Sequence, residues 1–332
     1  MKAKIFGFIF LWIQLGCDSK IPVQSFSGVT MGVIQYKVKI ADHQTMKIKD
    51  AIDSILVSFN QSLSTYDPNS LLSQFNQSDS LVFKSKLFYN ILKESYKIYL
   101  ATDGAFDPTV GPMINAMGFG VDKEPKIISQ SKFNGLHVNV GFDKLYFNEN
   151  YVVKNPNMYL DFSAIAKGLA VDIVADYLES RRVGNYMVEI GGEVRTKGLN
   201  PNKKPWKIGI DHPMVKKEER KLYGIASLEN ASMATSGNYR NFHTIGENTV
   251  AHIIDPKTGQ SNFNSMRSAT VFTQKCMTAD AYATAFMVMG FDAASKQIES
   301  NPNLEALLIY QAEDSIKHYI SNGILDQVKI LD

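Results

Sequence analysis

Hydrophobic positions along the chain follow two periods, and the switches between them lay out the elements. "VIQYKVKI" at 33–40 alternates apolar and polar residues, which predicts a half-buried strand. "MKIKDAIDSILVSFN" at 46–60 puts Ile48, Ala51, Ile52, Ile55, Leu56 and Phe59 on one face of a helix. "LSTYDPNSLLSQFNQS" at 63–78 reads as a loop with a short helical start, and residues 86–100 as a second amphipathic helix. The turn-rich "TDGAFDPTVGP" at 102–112 carries Phe106 between small residues, where it reads as exposed. "LYFNENYVV" at 145–153 predicts a hairpin around Asn148-Glu149-Asn150.

The second half begins with a helix from about 164 to 181, stopped near Gly184. Short strands follow at "YMVEI", "WKIGI", "YGIASL", "VAHIID" and "SATVFT". Residues 278–290 predict a helix with Thr278 as N-cap and Gly290 as its stop. "EALLIYQAEDSIKHYISNGI" reads as a closing hairpin. This mixture predicts an α+β fold in one compact unit, with no internal repeat.

The N-terminus breaks the pattern. Lys2 and Lys4 precede an apolar run from Ile5 to Ile13, too short to span a bilayer core of roughly 30 Å. "QLGC" then resembles a bacterial lipobox, with Cys17 as the lipidated residue and Gln14 where leucine is usual. Residues 1–17 are thus expected to be a signal peptide, 18–29 a linker containing "IPVQSFSG", and 30–332 the folded domain. A plain secretory signal or an uncleaved anchor fits the same residues.

Composition changes the picture little. The chain has 332 residues, 45% hydrophobic and 20% charged, which is ample for a core and ordinary for a globular protein. A net charge of +2 calls for neither nucleic acid nor a strongly acidic partner. Two cysteines, Cys17 and Cys276, rule out a disulfide framework as the organising principle. There is no P-loop, no G-x-G-x-x-G, no G-x-S-x-G and no H-E-x-x-H, and the six histidines lack zinc-ligand spacing.

Candidate chemistry lies in less common constellations. In "YLDFSAIAKG" Asp161 ends an extended segment, Ser163 is placed to cap the following helix, and Lys167 lies about one turn in. A helix start favours anions, and a lysine there strengthens a phosphate site; an ordinary capped helix would look the same. In "TADAYATA" Asp280 and Thr284 share a helix face, with Asp280 expected in the first turn. A carboxylate and a hydroxyl together suit a hard cation, while capping alone would explain the aspartate. Gly191-Gly192 at a strand end permits close backbone approach, or a bulge. His252, before the polar turn Asp255–Gly259, is a candidate general base, although a lone histidine is more often structural.

Together and in order, these stretches resemble the ApbE-type FAD:protein FMN transferases. The series comprises "TMG" (30–32), "LSTYDPNSLLSQFN" (63–76), "DGAFDPTVGP" (103–112), "YLDFSAIAKGLAVD" (159–172), "VEIGGEVRTKG" (188–198), "WKIGIDHP" (206–213), "ATSGNYRNF" (234–242), "HIIDPKTG" (252–259) and "TADAYATAFMVMG" (278–290). The resemblance implies a T-fold-like domain of mixed sheets and packed helices. It implies FAD contacts from Met31, Tyr66, Ala105, Phe106, Asp107, Asp161, Lys167 and Ile254. It implies Mg²⁺ held by the Ala164 backbone, Asp280, the backbone region of Ala283, and Thr284, with His252 as the base. "DFSAIAKG" departs from the family's usual "DLGGIAKG" at Ser163 and Ala164.

The activity implied is transfer of FMN from FAD to a threonine hydroxyl of an acceptor flavoprotein, with AMP released. Acceptors of this kind include membrane redox-pump subunits with a D-x-x-[ST]-G-A-[ST]-like motif. The implied location is the periplasmic side of the inner membrane, through a lipid anchor. The same site would also suit an FAD pyrophosphatase giving FMN and AMP, or a lipoprotein that binds FAD without turnover.

Overall fold

The structure is a computed structural model and describes residues 21–42, 47–120, 129–215, 219, 221–237, 242–245, 248–261 and 264–331. The leader and Cys17, and residues 238–241 of "ATSGNYRNF", lie outside the described residues. In chain order the elements are β1 (Val23–Thr30), β2 (Ile34–Ala41), α1 (Lys49–Leu63), α2 (Leu71–Gln77), β3 (Ser80–Val82), α3 (Lys86–Ala101), α4 (Gly111–Ala116) and α5 (Gln130–His137). Then come β4 (Leu145–Phe147), β5 (Tyr151–Lys154), α6 (Ala166–Ser180), β6 (Tyr186–Ile190), β7 (Glu193–Lys197), β8 (Trp206–Asp211), β9 (Leu222–Leu228) and β10 (Ser232–Gly237). The last are β11 (Phe242–Ile245), β12 (Asn248–Ala251), β13 (Met266–Thr273), α7 (Cys276–Met289), α8 (Phe291–Glu299), β14 (Glu305–Ala312), β15 (Ser315–Ile320) and β16 (Val328–Ile330).

Eight antiparallel strands form the central sheet, in the order β1-β2-β6-β7-β10-β13-β14-β15. Its two faces are both covered, and the period-2 alternation of side chains sorts residues between them. Val188 and Ile190 of β6 and Leu308 of β14 pack with α1, α3, α6 and α7. Met187, Leu307 and Ile309 point the other way, onto Trp206, Tyr223, Leu228 and Val328 of the small sheet β16-β9-β8. A third, smaller core holds Met113, Met117, Phe133, Val140 and Ile254.

Several elements differ from the sequence reading, each for a physical reason. Residues 23–29, read as linker, form with Thr30 the edge strand β1; up to Thr30 it alternates between half-buried and exposed positions, so it carries little hydrophobic signal. The helix in 63–78 lies in the second half, Leu71–Gln77, where Ser70 caps it by accepting the Ser73 N–H. Phe106 is buried, not exposed. Thr278 is not an N-cap: α7 starts at Cys276, Asp280 falls in its second turn, and the Thr278 hydroxyl bonds Glu94. Ser163 does not cap α6, which starts at Ala166; its N–H donates to Asp161 Oδ1 instead.

The caps of α6 and α7 come from across the helix pair. The first N–H groups of a helix have no partner within it. Asp172 of α6 takes those of Cys276 and Met277, both at 3.0 Å, at the start of α7. Asp280 of α7 takes the Gly168 N–H, at 2.9 Å, at the start of α6. The helices are so close there that a Cβ on Gly168 would lie 2.3 Å from the Cys276 carbonyl oxygen. Any side chain at 168 would push the two helix starts apart.

Asp172→Ala should therefore lower the unfolding free energy by about 2–3 kcal/mol, since it orphans two buried N–H groups at once. Asp176→Ala, one turn on and half-exposed, should cost under about 1 kcal/mol although it also meets Arg195. Urea denaturation of the two variants checks the contrast.

Candidate functional site

Three loops meet around Asp161. Its N–H donates to the Pro108 carbonyl at 2.8 Å, and Tyr159 forms a parallel bridge with Val110. The "AFDPT" segment is thereby fixed beside "YLDF". On the other side Asn76 clamps Leu160, donating to its carbonyl at 2.9 Å and accepting its N–H at 2.8 Å. This ties α2, and the Tyr66 loop before it, to the same place. The exposed Tyr66 feels Asp161 directly: partial burial, then the Asp161 charge, push its phenol above the ordinary value.

Within this neighbourhood Asp161 is 7% exposed and Asp107 is 6% exposed. Asp107 Oδ1 accepts the Thr109 N–H and hydroxyl, and Thr109 Oγ1 accepts the Gly141 N–H. Phe106 is packed into the main core, and Ala105 is half-buried. A cavity of about 370 Å³, lined in part by Asp103, Asp107, Gly141, Lys144 and Lys257, opens beside the loop. None of the site residues expected from the sequence lines it except Asp107.

One step along, α6 brings Lys167 between two carboxylates. Its Nζ pairs with Glu193 Oε1 and lies 3.9 Å from Asp280 Oδ1. Burial alone would push this ammonium down; Glu193 and Asp280 outweigh that and hold it above its ordinary value. Burial pushes Asp280 up, against Lys167 and the Gly168 N–H. Glu193 was not among the expected site residues. Strand β7 positions it: residues 193, 195 and 197 face α6, while Val194 between them faces the opposite layer. Arg195 meets Asp172 and Glu179, and Lys197 meets Glu179. The turn before β7 needs glycine. Gly191 has φ +65°, and a Cβ there would lie 2.8 Å from Ile34 Cγ2 and 3.3 Å from Lys167 Cδ. Ile34 starts β2, so this turn also brings the Met31 hairpin, where Met31 is partly buried against the core, next to Lys167.

His252 and Ile254 are held from a different side. The His252 ring meets Phe119 edge-on with centroids 6.5 Å apart. Ile254 is buried in the small core with Met113 and Phe133. Lys257 pairs with Asp103, so this turn and the "DGAFDP" loop are linked.

The donors for a hard cation can be tested against this geometry. Asp280 presents Oδ1 toward Lys167 while Oδ2 is held by the Gly168 N–H. Thr284 follows one turn on, half-buried on the same face. The Gly168 N–H goes to Asp280 rather than to the carbonyl four residues back, which belongs to Ala164. That carbonyl is therefore available as a donor next to the carboxylate. Ala283 fits less well: it is fully buried inside α7, where a carbonyl is committed to the N–H four residues on. Among the described residues no group of three His, Cys, Asp or Glu side chains could hold a metal. A set of one carboxylate, one hydroxyl and a backbone carbonyl fits the oxygen chemistry of Mg²⁺, which completes its shell with water.

Asp107 carries a measurable consequence. Burial pushes its carboxyl from 3.8 to about 6, the Thr109 hydrogen bonds opposing this only in part. The folded protein thus holds this proton more tightly than the unfolded chain. The resulting stabilisation is complete below about pH 3.8 and is lost as pH rises through about 6. Asp107→Asn keeps the Thr109 acceptor and removes the titration. Between about pH 4 and about pH 7, wild type should lose up to about 3 kcal/mol relative to the variant in denaturant unfolding.

The ApbE family model matches residues 31–308. The chain is 38% identical over 323 residues to a FAD:protein FMN transferase of Vibrio cholerae, covering 94% of this chain and 95% of the relative. It is 38% identical over 331 residues to a FAD:protein FMN transferase of Haemophilus influenzae, covering 95% of each. The fold superposes on the flavin transferase ApbE from Vibrio cholerae with a TM-score of 0.81 at 37% identity, over 92% of this chain and 100% of that one. With its sheets, its helix pair and nearly its whole length matched, this chain belongs to the ApbE family.

Proposed function

We propose that this chain transfers FMN from FAD to a threonine hydroxyl of an acceptor protein, with Mg²⁺, and releases AMP. The observation that carries the reading is the meeting of two helix starts at Asp280, Gly168 and Lys167. Helix N-termini favour a diphosphate, and Lys167 adds a cation beside them. The family assignment supplies the flavin and the protein acceptor.

In the reaction the threonine oxygen attacks the phosphorus on the FMN side of the diphosphate. A new P–O bond forms, the bridging P–O bond breaks, and AMP leaves with the bridging oxygen. The hydroxyl proton passes to a base, the role we assign to His252. Asp280, Thr284 and the Ala164 carbonyl would hold the Mg²⁺, which when bound neutralises charge on the diphosphate. Lys167 fixes the phosphates for in-line attack. To Met31 and Tyr66 we assign the isoalloxazine, which suits a thioether and an aromatic ring. Asp161, by accepting the Ser163 N–H, holds open the turn that leads into α6. To Ala105, Phe106, Asp107 and Ile254 we assign the remaining FAD contacts.

The proposal extends to partner and place. The acceptor is a flavoprotein with a D-x-x-[ST]-G-A-[ST]-like motif, such as a membrane redox-pump subunit. Export and lipidation at Cys17 would set the enzyme on the periplasmic face of the membrane; the Lys2/Lys4 start and the apolar run before "QLGC" support this. Among the described residues no helix is long and apolar enough to cross a membrane.

Incubated with FAD, Mg²⁺ and an acceptor bearing the motif, the full chain should add one FMN to the acceptor threonine by mass spectrometry, with AMP in equal amount. Free FMN and AMP without an adduct would assign the site to FAD hydrolysis instead. Asp280→Asn keeps an acceptor for the Gly168 N–H but removes the charge. It should cut turnover at least about a hundredfold, since metal charge stabilisation is worth several kcal/mol. His252→Ala should lower kcat by about 10²–10⁴-fold while FAD still binds, read by flavin fluorescence.

A further inference from the structure

Glu193 has no place in the reaction as described, yet it is 1% exposed and, among the described residues, its ion pair is with Lys167. Lys167 has two carboxylates within reach, Glu193 in contact and Asp280 at 3.9 Å. Both carboxylates are buried, so neither is screened by water and the ammonium goes to whichever holds it more firmly. Asp280 is already engaged through Oδ2 by the Gly168 N–H, which leaves Oδ1 as its open oxygen. That is the oxygen nearest the lysine, and the one a cation would need.

We propose that Glu193 is a positioning residue that keeps Lys167 off Asp280, so that Asp280 Oδ1 stays free for the metal. This rests on the assignment of Asp280 as a metal ligand. The geometry gives Glu193 the advantage. It sits on β7, fixed by the pairing of Glu193 with Ile190 across the hairpin turn. The Gly191 turn lies close against the Lys167 stem: even a Cβ added there would stand 3.3 Å from Lys167 Cδ. The lysine is therefore held from the β6–β7 side by both a charge and a wall. The second Glu193 oxygen, Oε2, is buried without a hydrogen-bond partner, so Lys167 is the side chain that satisfies this carboxylate. With a neutral group at 193, the ammonium would move onto Asp280 and compete with the divalent ion for the same oxygen.

The test is Mn²⁺ binding to the full chain without FAD, read from the free Mn²⁺ signal in electron paramagnetic resonance, with thermal unfolding of each variant alongside. Wild type should bind and Asp280→Asn should not; if wild type fails to bind, or Asp280→Asn binds as well as wild type, the metal assignment falls and this inference with it. Given that contrast, Glu193→Gln should bind Mn²⁺ about tenfold more weakly or worse, the usual scale for groups that act behind a ligand. Lys167→Met should bind no more weakly than wild type. The Lys167→Met/Glu193→Gln double variant should recover to the Lys167→Met level, because the competitor is gone. Wild-type affinity in Glu193→Gln would overturn the inference, as would a double variant as weak as Glu193→Gln, which would make Glu193 a ligand itself. If Glu193→Gln does not fold, Glu193→Ala takes its place under the same outcomes: weaker binding that Lys167→Met restores supports the proposal, and wild-type binding overturns it.

Discussion

Two helices in this protein begin side by side, and each caps the other. Helix starts carry partial positive charge, so placing two together is unfavourable unless anions lie between them. Asp172 and Asp280 are those anions, each in its own helix and each bonded to the partner's first N–H groups. The helices share buried apolar residues, and this exchange lets α6 and α7 approach until Gly168 touches Cys276. That contact places Lys167 beside Asp280 and directs the Gly168 N–H away from the Ala164 carbonyl. The candidate cation donors follow from a capping arrangement.

The sheet serves this pair by alternation. Because β7 shows every second residue to α6, one short strand delivers Glu193 to Lys167, Arg195 to Asp172 and Lys197 to Glu179. The signs interlock along the helix: a carboxylate meets the lysine at its start, and cations meet the carboxylates further on. Arg195 thus braces the aspartate that caps α7, at the far end of the exchange from the site. Structural and chemical groups share one ladder, so a change at β7 is felt at both.

Much of this was legible in the sequence, and the misses share a cause. The helix at 46–60, the strand at 33–40 and the hairpin at 145–153 carry local periodicity, and they appear within a residue or a few of where it put them. Thr278 and Ser163 were expected as caps because local rules look only to neighbours in the chain. The true cap of α7 lies 104 residues before Cys276, and no local rule reaches it. Phe106 looked exposed between small residues, but the Pro108–Asp161 bond folds its loop inward. Asp161, Lys167, Asp280 and Thr284 could be singled out because each stands in an ordered series of motifs, Asp161 before α6, Lys167 at its start, and Asp280 and Thr284 one turn apart within α7. Glu193 stood in plain view after Gly191-Gly192; recognising it required knowing that β7 lies against α6.

The charge balance at the site explains why such a cluster is tolerated before any ligand arrives. Two buried carboxylates flank one partly buried ammonium, and a pair of desolvated anions of this kind is costly. Part of that cost is offset by the Gly168 N–H on Asp280 and by the positive ends of α6 and α7. The remainder favours a cation. On the proposed reading the site would take its ligands in order of charge: the helix starts hold the carboxylates, the carboxylates would draw a metal, and the metal with Lys167 would draw the phosphates.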